Sequence, residues 1–104
     1  MNDELHNLLT AVKDEHLTKT DLEKYRDSMV HMHTQFQIAL AGIEKRGALF
    51  FMERKKATPE SSDISIKREW RASNDGLQEI ELNRYIKAIA QEIKSLRDRL
   101  YNLY

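Results

Sequence analysis

The sequence predicts an all-α protein: a long antiparallel helical hairpin with a short N-terminal helix, coiled-coil-like packing and self-association into an oligomer. Three observations carry that expectation. Apolar residues recur in steps of three and four along two long stretches. The only proline, Pro59, sits between those stretches in a run of small polar residues. The second stretch is so regular that one facing helix leaves part of its apolar stripe bare.

From Asp3 to about residue 14, Leu5, Leu8, Leu9 and Val12 have helical spacing and form a short amphipathic helix. The next helix is expected over residues 21–56. Thr20 and Glu23 have the spacing of a capping box, in which each side chain takes the other's backbone N–H. Its seam runs Leu22, Tyr25, Met29, Met32, Phe36, Ala39 and Ile43, then after a stutter Gly47 and Phe50. Gly42 and Gly47 each cost roughly 1 kcal/mol against alanine inside a helix, so they mark a close backbone approach or a bend. Residues 57–63 read as the turn that reverses the chain, and Ile64 to Arg71 as a further turn or two of helix with Ile66 and Trp70 on one face.

The last helix is expected over residues 74–103, with Ser73 as its N-cap and Asp75 where the helix dipole favours a carboxylate. Leu82, Ile86, Ile89, Ile93, Leu96, Leu100 and Leu103 form an unbroken 4-3-4-3-4-3 series and are the expected oligomerisation seam. Tyr85, Ala88, Tyr101 and Tyr104 widen it, so either the first helix or a second protomer must cover the excess. A second protomer is the expectation adopted. The whole chain, 1–104, is expected to form one helical domain.

Composition narrows the function classes. At 40% hydrophobic and 33% charged residues, the 104-residue chain is too apolar for disorder and suits long helices with solvated outer faces. A chain this short buries only a modest fraction of its surface alone, so association helps it. The absence of cysteine removes disulfides and thiolate zinc sites and points to a reducing compartment. No apolar run is long enough to span a bilayer, and the start Met-Asn-Asp-Glu is acidic where a signal peptide is basic, so a cytoplasmic, non-membrane location is expected. Net charge is zero, yet residues 1–43 carry four basic and seven acidic side chains, against thirteen and ten in residues 44–104. That dipole argues against indiscriminate polyanion binding and permits a local basic site.

The sequence shows no phosphate loop, nucleophile elbow or His-Glu-x-x-His pattern, so no catalysis, cofactor or metal is expected. His31 and His33 are two apart and point to different sides of a helix; His33 reads as a packing residue and His31 as a surface one. His6 and His16 are isolated.

One constellation remains. Between residues 45 and 71 lie the basic Lys45, Arg46, Arg54, Lys55, Lys56, Lys67, Arg68 and Arg71 against only four acids, with Phe50, Phe51 and Trp70 interleaved. Cations that track a phosphate backbone beside aromatic faces on which bases stack are what single-strand binding requires. The same residues also admit a purely structural role, with Phe50 closing the seam, Trp70 packing under the turn and the cations solvated at a helix C-terminus.

The stretches Val12-Lys13-Asp14, Leu17 to Leu22 and Val30 to Phe36, with weaker similarity from Leu82 to Arg97, resemble the UvsY-type recombination mediators of T-even and related phages. The layout is similar too: a short first helix, a capped second helix ending in a basic-aromatic stretch, and an amphipathic last helix. The resemblance implies a ring-like homo-oligomer that binds single-stranded DNA, remodels single-strand-binding protein and helps load a RecA-like recombinase. It sets Lys45, Arg46, Arg54, Lys55 and Lys56, with Phe50 and Phe51, in that family's basic stretch. The competing expectation is a protein-only interaction module, such as a phage-encoded inhibitor of a host or anti-phage enzyme, acting through its apolar helical face on a partner protein.

Overall fold

The computed structural model describes residues 3–103, and these form four helices: α1 (Asp3–Ala11), α2 (Lys19–Ala57), α3 (Asp63–Ala72) and α4 (Asn74–Tyr101). Helices α2 and α4 pack as the expected hairpin. No helix among the described residues is long and apolar enough to cross a membrane. Tyr104, expected to widen the last stripe, lies outside the described residues.

The start of α2 differs from the expected capping box. Thr18, rather than Thr20, is the cap: its Oγ1 accepts the Asp21 N–H at 3.1 Å, and the Asp21 carboxylate accepts the Thr18 N–H at 3.1 Å. Both registers offer a threonine with an acid three residues on. The earlier one wins because it adds two residues to the helix, closing further backbone hydrogen bonds such as Leu22 N–H to Thr18 C=O at 3.0 Å. It also places half-buried Leu17 before the cap and buried Leu22 at the fourth helical position, the spacing of a hydrophobic staple.

Both long helices run uninterrupted through two compact units. Unit 1, Met1–Gln35 with Ile86–Tyr104, contains α1, the first half of α2 and the second half of α4. Its core is aliphatic and sulfur-rich: Leu5, Val12, Leu22, Met29, Met32, Ile89, Leu96 and Leu100 are each at most 5% exposed. The tail of α1 is fastened by Arg99, whose guanidinium donates to the carbonyls of Val12 at 2.6 Å and Asp14 at 2.9 Å. The cation thereby meets orphan carbonyls just past a helix C-terminus, where the dipole favours it.

This arrangement corrects the oligomerisation seam. Ile89, Leu96 and Leu100 are buried inside one chain, Leu82, Ile86 and Ile93 are half-buried, and only Leu103 stands exposed. Of the residues expected to widen the stripe, Tyr85 and Ala88 are half-buried and Tyr101 is 79% exposed, while Leu5 of α1 and Val12 just after it are buried in unit 1 along with Ile89, Leu96 and Leu100. Periodicity counts the apolar positions on a helix but does not say which neighbour covers them.

Unit 2, Phe36–Tyr85, holds the second half of α2, all of α3 and the start of α4. The seam of α2 steps here through Phe36, Leu40, Ile43, Gly47, Phe50 and Arg54, none of them exposed, while Ala39 lies outside it. The stutter therefore falls at Phe36–Leu40, ahead of its expected position. The chain leaves α2 through Thr58, whose Oγ1 donates to the Arg54 carbonyl, and enters α3 at Ser62, whose Oγ accepts the Ser65 N–H at 3.1 Å. Ser73 ends α3 and begins α4 in one residue. Its N–H and hydroxyl both donate to the Trp70 carbonyl, and its Oγ accepts the Gly76 N–H at 3.1 Å. That corner is too tight for a side chain at position 76, since a Cβ there would lie 1.9 Å from the Trp70 carbonyl oxygen.

Candidate nucleic-acid interface

Within unit 2 the aromatic members of the basic-aromatic stretch turn inward. Phe50 and Trp70 pack ring against ring at 5.6 Å between centroids and 44° between planes, a favourable tilted arrangement. The Trp70 indole N–H donates to the Glu79 carboxylate at 2.9 Å, which gives the half-buried ring its polar partner. Gly47 makes room for this ring, because a Cβ there would sit 3.1 Å from Trp70 Cε2 and Cζ2. Phe51 is half-buried and borders, with Phe50, Ile66 and Trp70, a cleft of about 240 Å³. Phe36 and Tyr85 make a second ring contact at 5.5 Å, and the Tyr85 hydroxyl bonds Glu81. Phe50 and Trp70 thus pack on each other, and both remain half-buried with Phe51 along the rim of that cleft.

The eight cations separate into two groups. Three tie α2 to the elements that follow it. Arg46 forks onto Asp75 through two parallel hydrogen bonds of 3.0 and 3.1 Å. Arg54 reaches Glu69 at 2.7 Å, and Lys55 meets Asp63 at 2.9 Å as well as the Ser61 carbonyl at 2.8 Å. The Arg46 pairing lowers the Asp75 pKa from its ordinary value, chiefly through the hydrogen bonds, and raises that of Arg46. The remaining five, Lys45, Lys56, Lys67, Arg68 and Arg71, are exposed and have no hydrogen-bond or ion-pair partner among the described residues.

The geometry of α3 explains this division. Its buried Ile66 and half-buried Trp70 fix the inner face. Asp63 and Glu69 flank that face and are both engaged by α2, so the helix presents no unengaged carboxylate. Lys67, Arg68 and Arg71 are exposed: Lys67 and Arg71 border, with Trp70 and Glu79, a cleft beside the inner face, and Arg68 lies opposite that face. Lys45 and Lys56 lie on α2, on the side away from its seam.

His31 is exposed and His33 half-buried, and no three metal-binding side chains gather among the described residues. Sequence reasoning missed one exposed set, Ile38, Leu49 and Met52 of α2. Its signal was present as a second series of four-and-three steps, masked by the aromatic-rich first. Comparison with protein-family models, with curated proteins and with solved structures gives no match to this chain.

Proposed function

We propose that this protein is a non-enzymatic accessory factor that binds single-stranded nucleic acid through the exposed cations of α3. The observation that carries the reading is the engagement of both α3 acids by α2, and of Glu79 by the Trp70 indole, which leaves Lys67, Arg68 and Arg71 exposed and without an ion-pair partner among the described residues. Such cations contact phosphates and take no information from the bases. With Phe50 and Trp70 engaged with each other and with Glu79, affinity rests mainly on the backbone, so binding is sequence-tolerant and strongly salt-dependent. Action as a recombination mediator that loads a RecA-like recombinase is the finer form of this proposal, and the UvsY-type resemblance is its support.

The test is a fluorescence-anisotropy titration with a labelled single-stranded oligonucleotide at two salt concentrations. Joint reversal of Lys67, Arg68 and Arg71 to glutamate is expected to abolish most binding and to flatten the logarithmic salt slope by about 2, roughly 0.7 for each phosphate no longer neutralised. Lys67→Gln alone should give about a third of that flattening. Absence of binding at low salt, or an unchanged slope in the triple variant, overturns the proposal.

A further inference from the structure

From Phe36 onward α2 carries two series in steps of four and three. The first is the inward seam from Phe36 to Arg54. The second, offset by two residues, is Ile38, Gly42, Lys45, Leu49, Met52 and Lys56, and every member is exposed. An offset of two turns a helix position by about 200°, so the second series occupies the opposite side. Ile38, Leu49 and Met52 are 68%, 49% and 56% exposed, more than isolated surface apolars at random spacing would require. The series spans about 27 Å, five turns of helix, and its regular steps suit knobs from a facing helix. Gly42 leaves a hollow in the face, and beside it Ile38 borders a cleft of about 500 Å³ shared with Phe36 and Leu82.

Charge selects the occupant. The series contains two unpartnered ammonium groups, Lys45 and Lys56, and the exposed carboxylate that flanks it is Glu53, between Leu49 and Lys56. Pairing with a second copy would bring four lysines onto one seam against two flanking Glu53 carboxylates, an excess of two positive charges. An amphipathic helix with carboxylates beside its apolar stripe matches both the apolar steps and the two lysines. We propose that the rear face of α2 docks such a helix from another protein. This surface shares no residue with the α3 cations, so it stands or falls independently of nucleic-acid binding.

The experiment uses the full chain and two labelled synthetic amphipathic helices of about five turns, one with leucine at seam positions and glutamate beside them, the other with lysine in place of glutamate. The acidic peptide should bind roughly tenfold tighter. Lys45→Glu with Lys56→Glu should reverse that preference. Leu49→Asp with Met52→Asp should remove binding of both peptides without lowering the melting temperature, because both side chains are solvated in the free protein. Equal affinity for the two peptides overturns the proposal, as does binding indifferent to Leu49 and Met52. Two further results overturn it: sedimentation with phosphatidylserine vesicles and no peptide preference, or a dimer in light scattering that Leu49→Asp with Met52→Asp converts to monomer.

Discussion

Leu5, Val12, Leu22, Met29, Met32, Ile89, Leu96 and Leu100 are the fully buried apolar side chains of unit 1, whereas unit 2 buries only Ile43 and Ile66 to that degree. Unit 2 instead relies on half-buried aromatic rings, two close-packed glycines and three ion pairs between α2 and the elements after it. Its outer surface keeps Ile38, Leu49, Met52, Ile64, Leu77 and Ile80 exposed, against Val30, Tyr101 and Leu103 in unit 1. Apolar side chains that unit 1 places inside are thus left outside in unit 2. Unit 1 holds most of the buried core among the described residues, and unit 2 most of the exposed apolar side chains.

The largest effect expected from that contrast comes from emptying the unit 1 core. Leu96→Ala should lower the unfolding free energy by about 3 kcal/mol, the range for deleting a buried leucine. Urea unfolding followed by far-ultraviolet circular dichroism measures it. The Trp70 emission of unit 2 should shift at the same midpoint, since α2 and α4 are continuous through both units. Separate midpoints would break the dependence of unit 2 on unit 1.

Gly76→Ala comes next, at about 2 kcal/mol, because the new Cβ meets backbone atoms of Trp70 and Arg71 that cannot swing aside. It should disturb Trp70 fluorescence before unfolding. Gly47→Ala, whose Cβ meets only the edge of the Trp70 ring, should change stability far less because alanine's helix propensity offsets the crowding.

Arg99→Gln should cost about 1–2 kcal/mol, as it removes a charged donor shared by two carbonyls. Hydrogen exchange should accelerate in α1 and the following loop while α3 stays unchanged. Equal acceleration in α3 would contradict the assignment of this clamp to unit 1.

The smallest effect concerns pH. Asp75 has its folded pKa held below the ordinary 3.8 by Arg46, so its contribution is complete at neutral pH and fades as the pH falls through 3.8 and below. An NMR titration of the Asp75 carboxyl should give a midpoint below 3.8, returning toward it in Arg46→Gln. An unchanged midpoint would sever this link between α2 and α4.

Much of this was legible in the residues themselves. The apolar steps, the break at Pro59 and the capping serine at position 73 placed the hairpin, and Ile66 with Trp70 placed α3. The offset series from Ile38 to Lys56 was equally legible and went unread, because Phe36, Ile43 and Phe50 already supplied a seam. Thr18 and Thr20 offered equivalent capping patterns, and only the formed helix discriminates between them.

The sequence by itself determined which residues are helical and which faces are apolar, since both follow from local spacing and short-range backbone hydrogen bonding. Tertiary structure alone decided which neighbour each face meets. It buried Ile89, Leu96 and Leu100 inside unit 1 with Leu5 and Val12, where a second protomer was expected to cover them, and folded Phe50 and Trp70 together where stacking was expected. It also withdrew Arg46, Arg54 and Lys55 into ion pairs with partners eight or more residues away along the chain. Long-range pairing depends on the three-dimensional approach of elements, which a one-dimensional pattern of charges and rings does not encode.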